Sequence, residues 1–209
     1  MAKPGPGEHS EKAKAVLDAA ASVFLAHGFS AATTDMIQRE AGVSKATMYG
    51  CFPNKEAMFA AVIERQCNRM ATTIEAIEAA PGNLGRTLTA IGTSYLQIAL
   101  SPVGMALYRV VAAEAPRFPD LGRHFYLAGP RAVTSLVAAR LSEAAQAGEI
   151  DVQSVGVDAA ASLFISMVRA EGQLELLTHP KAQASAVQLD HWVQLAVVAF
   201  LRAFGVAQK

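Results

Sequence analysis

The chain has 209 residues and no net formal charge; 52% of its residues are hydrophobic and 17% charged. That length holds one or two domains with a proper core, and the zero balance removes bulk charge as a source of nucleic-acid affinity. The apolar share is high and the charged share low for a free-standing domain, so much surface is expected to be buried, some of it between subunits.

Residues 1–9 carry Pro4, Gly5, Pro6 and Gly7 and read as an arm, from which Lys3 could add a phosphate contact. Ser10 to His27 predicts a helix. Ala13, Val16, Leu17, Ala20, Ala21, Phe24 and Leu25 follow three-four spacing, Ser10 suits the N-cap and Gly28 the residue past the end. Thr33 to Lys55 then predicts two short helices around the corner Ala41-Gly42-Val43. Thr33 or Thr34 can cap the first and Ser44 the second, because a hydroxyl oxygen accepts an orphan backbone N–H. Gly42 permits the sharp turn, and Ile37, Val43, Met48 and Phe52 would pin the pair at a fixed angle. That is the build of a helix-turn-helix, whose second helix enters the major groove of DNA.

A long helix over 54–79, capped by Asn54 and ended by Pro81-Gly82, leads out of this unit as a rod rising ~1.5 Å per residue. Further helices are expected near 84–100, 103–115, 119–147, 156–178 and 182–206, with Gly129-Pro130 kinking or splitting the third of them. No window reaches ~18 uninterrupted apolar residues, so no membrane span is expected. The N-terminus lacks the apolar core of a signal peptide. Cys51 and Cys67 make no disulfide framework, and a reducing cytoplasm fits best.

The residues Gly28-Phe29, Thr33-Thr34, Ile37, Ala41 through Tyr49 (AGVSKATMY), Phe52 and Lys55-Glu56 together resemble the DNA-binding domain of TetR-family regulators. The stretch Val110 to Ile150, with "EAPRFPDL" and "AGEI" before Asp151, resembles the ligand domain of the AefR-like branch of that family. The resemblance implies an all-α fold. A three-helix helix-turn-helix DNA-binding domain over 1–53 would be followed by a helical ligand-binding and dimerisation domain over 54–209.

In the second helix, Met48 and Phe52 are expected to face inward and Ala46 and Gly50 outward, with Thr47 beside them and Lys45 and Tyr49 flanking. Small residues one turn apart let the backbone approach the groove floor. Thr47 can meet a base edge, Ala46 a thymine methyl, and Lys45 a guanine or a phosphate. Lys55 stands at a helix N-terminus, where backbone N–H groups assist an anion contact. The resemblance implies the same division: Thr34, Ser44, Tyr49 and Lys55 on phosphates, with Lys45, Ala46 and Thr47 nearest the bases. Many relatives carry aromatic or histidine side chains where this chain has Gly50 and Cys51, so their operators do not transfer.

One such unit reads little DNA, so a homodimer on a palindromic operator is expected. Leu163, Met167, Leu174 and Leu177 on one late helix, and Trp192, Leu195, Val198, Ala199 and Arg202 on the last, suit a four-helix interface. The middle helices could enclose a small-molecule effector. Tyr108, Val111, Phe118, Phe125, Tyr126, Phe164 and Met167 are the candidate lining, and Arg109, His124, Arg169 or Glu171 the polar handles. The five histidines show no metal-ligand spacing, no cofactor is implied, and no nucleophile–base pair points to an enzyme. The expected function is a ligand-responsive regulator, in the sense of a repressor. The alternative is a helical small-molecule binder that has lost specific DNA binding.

Overall fold

In the computed structural model, residues 6–80 and 82–206 are described, with side chains from Glu11 onward. The helices are α1 (Pro6–Ala31), α2 (Thr34–Ala41), α3 (Lys45–Cys51), α4 (Lys55–Glu75), α5 (Leu84–Ala99), α6 (Pro102–Glu114), α7 (Pro119–Tyr126), α8 (Ala132–Gln146), α9 (Val157–Thr178) and α10 (Ala186–Phe204). The only strand-like pairing among the described residues is an isolated bridge of Ile150 with Gly205. No single helix among them is long and apolar enough to cross a membrane.

Two compact units emerge, Met1–Cys67 with Ala106–Ala128, and Asn68–Met105 with Gly129–Lys209. Compactness therefore divides the chain after Cys67, whereas the sequence pattern suggests a break at Asn54, and it draws 106–128 to the N-terminal residues. The first unit closes on Val16, Ala20, Phe24, Ile37, Met48, Phe59 and Ile63. Phe29 joins Phe24 at 5.7 Å, Phe59 at 5.2 Å and Phe118 at 4.8 Å between ring centroids, an aromatic cluster whose edge-to-face members add to simple burial. In the second unit α8 packs on α9, and α10 on α5 and α9. Its core holds Leu88, Ile91, Val137, Leu141, Phe164 and Phe200. Cys51 and Cys67 are free thiols, and burial pushes the Cys67 thiol up to about 11.

Several ends differ from the pattern-based expectation. α1 begins at Pro6, so Ser10 lies inside the helix instead of capping it. Proline suits a first turn, where its missing N–H would have had no partner. Residues 1–5, Lys3 among them, lie outside the described residues, as does Pro81. Gly28 interrupts α1 at φ 78°, ψ 168°, and a short further turn runs to Ala31; glycine enters that region without the steric cost a side chain brings. α4 stops at Glu75, before the expected 79, and α10 starts at Ala186 rather than 182. The expected 119–147 helix is broken by a π-helical turn, Leu127–Arg131. Pro130 has no N–H to donate to the previous turn, and the ladder widens around it.

Candidate nucleic-acid interface

Thr33 caps α2: its extended backbone (φ −114°, ψ 151°) lets its hydroxyl oxygen accept the Met36 N–H at 3.2 Å. Of the two threonines open as caps, Thr33 takes the role and Thr34 becomes the first helical residue. Gly42 ends α2 in the left-handed region at φ 65°, which bulkier residues resist. Gln38 braces the turn: its Nε2 donates to the Val43 carbonyl at 2.8 Å. Ser44 then caps α3, accepting the Thr47 N–H at 3.1 Å, and the two hydroxyls lie 2.9 Å apart. Such a cap is worth about 0.5–2 kcal/mol. Ile37 and Met48 are wholly buried, while Val43 and Phe52 are half-buried against the same core.

The opposite face of α3 is open. Lys45, Ala46, Tyr49 and Gly50 are exposed and Thr47 half-buried. A Cβ built on Gly50 would meet nothing within 4 Å. The Tyr49 hydroxyl donates to Thr34 Oγ1 at 3.2 Å, so two residues expected on phosphates already touch each other. Lys45 Nζ stands 2.7 Å from Asp35 Oδ1. Hydrogen bonding and then the charge of Lys45 hold the Asp35 carboxyl below its usual range, and Asp35 in turn raises the Lys45 ammonium. Lys55 is turned differently from an open phosphate ligand. Its Nζ donates to the Phe29 carbonyl at 2.9 Å and the Ala32 carbonyl at 3.1 Å, and lies 4.5 Å from the centroid of the Phe29 ring. Asp35 and Gln38 carry no signature in the spacing of the sequence; each pairs across a turn, and only Gln38, five residues before Val43, lies close to its partner along the chain.

The other candidate residues fall in separate places. Tyr108, Val111, Phe118, Phe125 and Tyr126 belong to the first unit; Phe164 and Met167 belong to the second. The Tyr108 and Phe125 rings lie 6.4 Å apart, Val111 is buried, Phe118 packs edge-on against Phe29, and Tyr126 is 56% exposed. Phe164 is a core residue against Phe200, with 5.5 Å between centroids. His124 Nε2 lies 3.2 Å from Glu64 Oε1, an ion pair when the imidazole is protonated.

Along α9 and α10, Leu163, Met167, Leu174, Leu177, Leu195 and Val198 are all exposed, Leu174 at 63% and Leu195 at 56%. Ala199 and Arg202 are exposed beside them. Trp192 differs: it is 6% exposed and packs inward over Gly172, where a Cβ would come within 2.6 Å of its ring. A groove between the two helices is lined by Met167, Ala170, Glu171, Leu195 and Ala199, with Trp192 beneath.

Residues 16–62 match the family described as bacterial regulatory proteins, tetR family, and residues 86–206 match the AefR-like transcriptional repressor, C-terminal domain. The chain is 33% identical over 84 residues to the HTH-type transcriptional regulator YvkB of Bacillus subtilis; that stretch covers 40% of this chain and 43% of YvkB, under half of the relative's length. A solved TetR-family regulator of Mesorhizobium loti superposes with a TM-score of 0.85 at 24% identity, covering 95% of this chain and 98% of that one, which speaks for the fold. The flavonoid-responsive regulator FrrA superposes with a TM-score of 0.79 at 32% identity, covering 95% of this chain and 100% of its own.

Proposed function

Because the chain belongs to the TetR family of transcriptional regulators, we propose that it is a cytoplasmic, ligand-responsive repressor that binds a palindromic operator as a homodimer. The observation that carries this reading is the face of α3. A rigidly capped helix presents Ala46 and Gly50 as a low floor, with Lys45, Thr47 and Tyr49 around it. Low side chains let the backbone approach the base edges, and the three polar groups supply base and phosphate contacts. Thr34 and Ser44 add hydroxyls at the rim. Lys55 can reach a phosphate only with the donor left over from its two carbonyls.

The exposed apolar residues of α9 and α10 support a second copy as their partner, since a contiguous surface of that kind is costly to leave in water. Leu163, Leu174, Leu177, Leu195, Val198, Ala199 and Arg202 would meet their counterparts across a two-fold axis, with Trp192 as backing from within the subunit. Paired headpieces would then lie about 34–36 Å apart, or a multiple of that, to read two half-sites on one DNA face.

Release would follow from a small, largely apolar effector with unequal affinity for two arrangements of the protein. FrrA, described as flavonoid-responsive, favours an aromatic compound as the first class to try. Tyr108, Val111, Phe118, Phe125 and Tyr126 of the first unit remain the proposed lining, while Phe164 is taken up by the second unit's core and Met167 by the exposed face of α9. The test of the DNA reading uses duplexes that the wild-type protein selects from a random pool. Lys45→Ala, Thr47→Ala and Tyr49→Ala should each weaken the gel shift, by about 1–3 kcal/mol where a base contact is lost. Unchanged shifts for all three would exclude α3 as the reading helix. A wild type whose affinity for duplex DNA ignores salt would favour the alternative, a small-molecule binder without DNA function.

A further inference from the structure

The sequence Glu114-Ala-Pro-Arg-Phe-Pro119 joins α6 to α7, and the interface above gives its charges no role. Within the first unit they converge on the corner between α1 and α2. Glu114 Oε1 accepts the Ser30 backbone N–H at 2.8 Å, and Oε2 accepts the Ser30 hydroxyl at 2.6 Å. Arg117 Nη1 donates to the same Ser30 Oγ at 3.3 Å. Lys55 holds the Phe29 and Ala32 carbonyls of the same corner. The corner begins at Gly28, in the left-handed region, and runs straight into the Thr33 cap of α2. A turn of this kind must find partners for backbone groups that no helix satisfies. Here two side chains, one from each end of the charge scale, supply them.

The carboxylate is itself held firmly. Leu107, Val110 and Val111 bury the preceding turns of α6 in the first unit's core, and Phe118, just beyond Arg117, packs on Phe29. We propose that Glu114 is a positioning residue for DNA binding: from the end of α6 it fixes the α1–α2 corner, and through that corner the aim of α2 and of the recognition helix α3. Glu114 need touch no DNA to do so. Desolvation pushes its carboxyl up, but the Ser30 hydroxyl and amide, with Arg117 and Lys55 nearby, outweigh this and hold it below the usual range. It is therefore an anion at neutral pH, as a charge-assisted acceptor should be. Arg117 orients the Ser30 hydroxyl from its other side.

This role rests on the DNA-binding reading above, and the experiment separates the two. Glu114→Ala, Glu114→Gln and Ser30→Ala are made in the full chain and their folding checked by circular dichroism. Each is titrated with the duplex that the wild type selects from a random pool and with a scrambled duplex, and amide exchange is followed over 29–37. Glu114→Ala should lose about three- to tenfold in affinity for the selected duplex, the scale of one or two hydrogen bonds. Its salt slope on scrambled duplex should not move, because no phosphate contact is lost. Exchange should quicken over 29–37 while α8 to α10 stay protected. Glu114→Gln keeps an acceptor for the Ser30 N–H and should fall between. The Ser30→Ala effect should largely vanish once Glu114 is already alanine.

Wild-type selectivity and wild-type exchange in a folded Glu114→Ala protein would overturn the assignment while leaving the regulator standing. If Glu114→Ala does not fold, Glu114→Gln and Ser30→Ala carry the same comparison. A wild type that selects no duplex would overturn the regulator and this role together.

Discussion

Lys45 is the only charged residue in α3, and Asp35 engages it at 2.7 Å. Both side chains are well exposed, so the pair adds little to stability. In the proposed DNA complex it weighs more, because each cation that reaches a phosphate displaces a counterion. Asp35→Asn frees Lys45 and removes a carboxylate from the face proposed to meet the DNA backbone. Affinity for random duplex should rise and its salt slope should steepen by about 0.9 per subunit, at some loss of discrimination against scrambled sites. A slope equal to wild type would mean that Lys45 already leaves Asp35 when DNA arrives. Much of this residue-scale detail was legible in the sequence. The caps Ser44 and Asn54 stand where expected, with Asn54 Oδ1 accepting the Ala57 N–H at 2.7 Å. Lys55 was not legible: its partners Phe29 and Ala32 lie more than twenty residues away. Spacing rules see neighbours along the helix, and a carbonyl at another helix end has no signature of its own.

At the scale of elements, α9 and α10 are tightly packed where Gly172 lies under Trp192. A Cβ there would sit 2.6 and 2.7 Å from two ring carbons and 2.8 Å from a Leu100 methyl. Gly172→Ala brings two opposed effects. Alanine favours a helix interior over glycine by up to about 1 kcal/mol. Forcing a methyl into filled space costs about 1–3 kcal/mol, and a rigid indole ring cannot swing aside as a chain end can. Packing should win, and the melting temperature should drop. A temperature at or above wild type would show that Trp192 has room to retreat. The same pair explains why a stripe drawn on α10 misplaces Trp192. Periodicity groups it with Leu195 and Val198, but the slot opened by a glycine on the next helix takes the ring inward. Element ends were less legible than element existence. The capping box of Ser185 and Gln188 that starts α10 carries the S-x-x-Q signature, which the expected start at 182 passed over, whereas nothing in the stretch 76–80 marks Glu75 as the end of α4.

For the whole molecule the deciding quantity is how much apolar surface the subunit leaves uncovered. A chain that is 52% hydrophobic has covered its two cores, and leucines at 46%, 63% and 56% exposure remain at positions 163, 174 and 195. The pattern of the sequence grouped these residues. It could not say whether they closed a core or faced outward, because a helix stripe looks the same in either case. Leu174→Glu and Leu195→Glu together place like charges opposite one another across the proposed two-fold axis, where desolvation makes repulsion expensive. Sedimentation should then report a single subunit at micromolar concentrations, with helicity and melting near wild type, since neither side chain belongs to a core. DNA binding should fall with dimerisation and not independently of it. Two tethered headpieces raise each other's effective concentration, and losing that linkage costs about 10²–10⁴ in apparent affinity without the loss of any contact to DNA. The half-site affinity of the separated subunits should be unchanged, which distinguishes a broken interface from a damaged headpiece. Should the double variant still sediment as a dimer and shift an inverted repeat at the wild-type concentration, the exposed face of α9 and α10 would need another occupant.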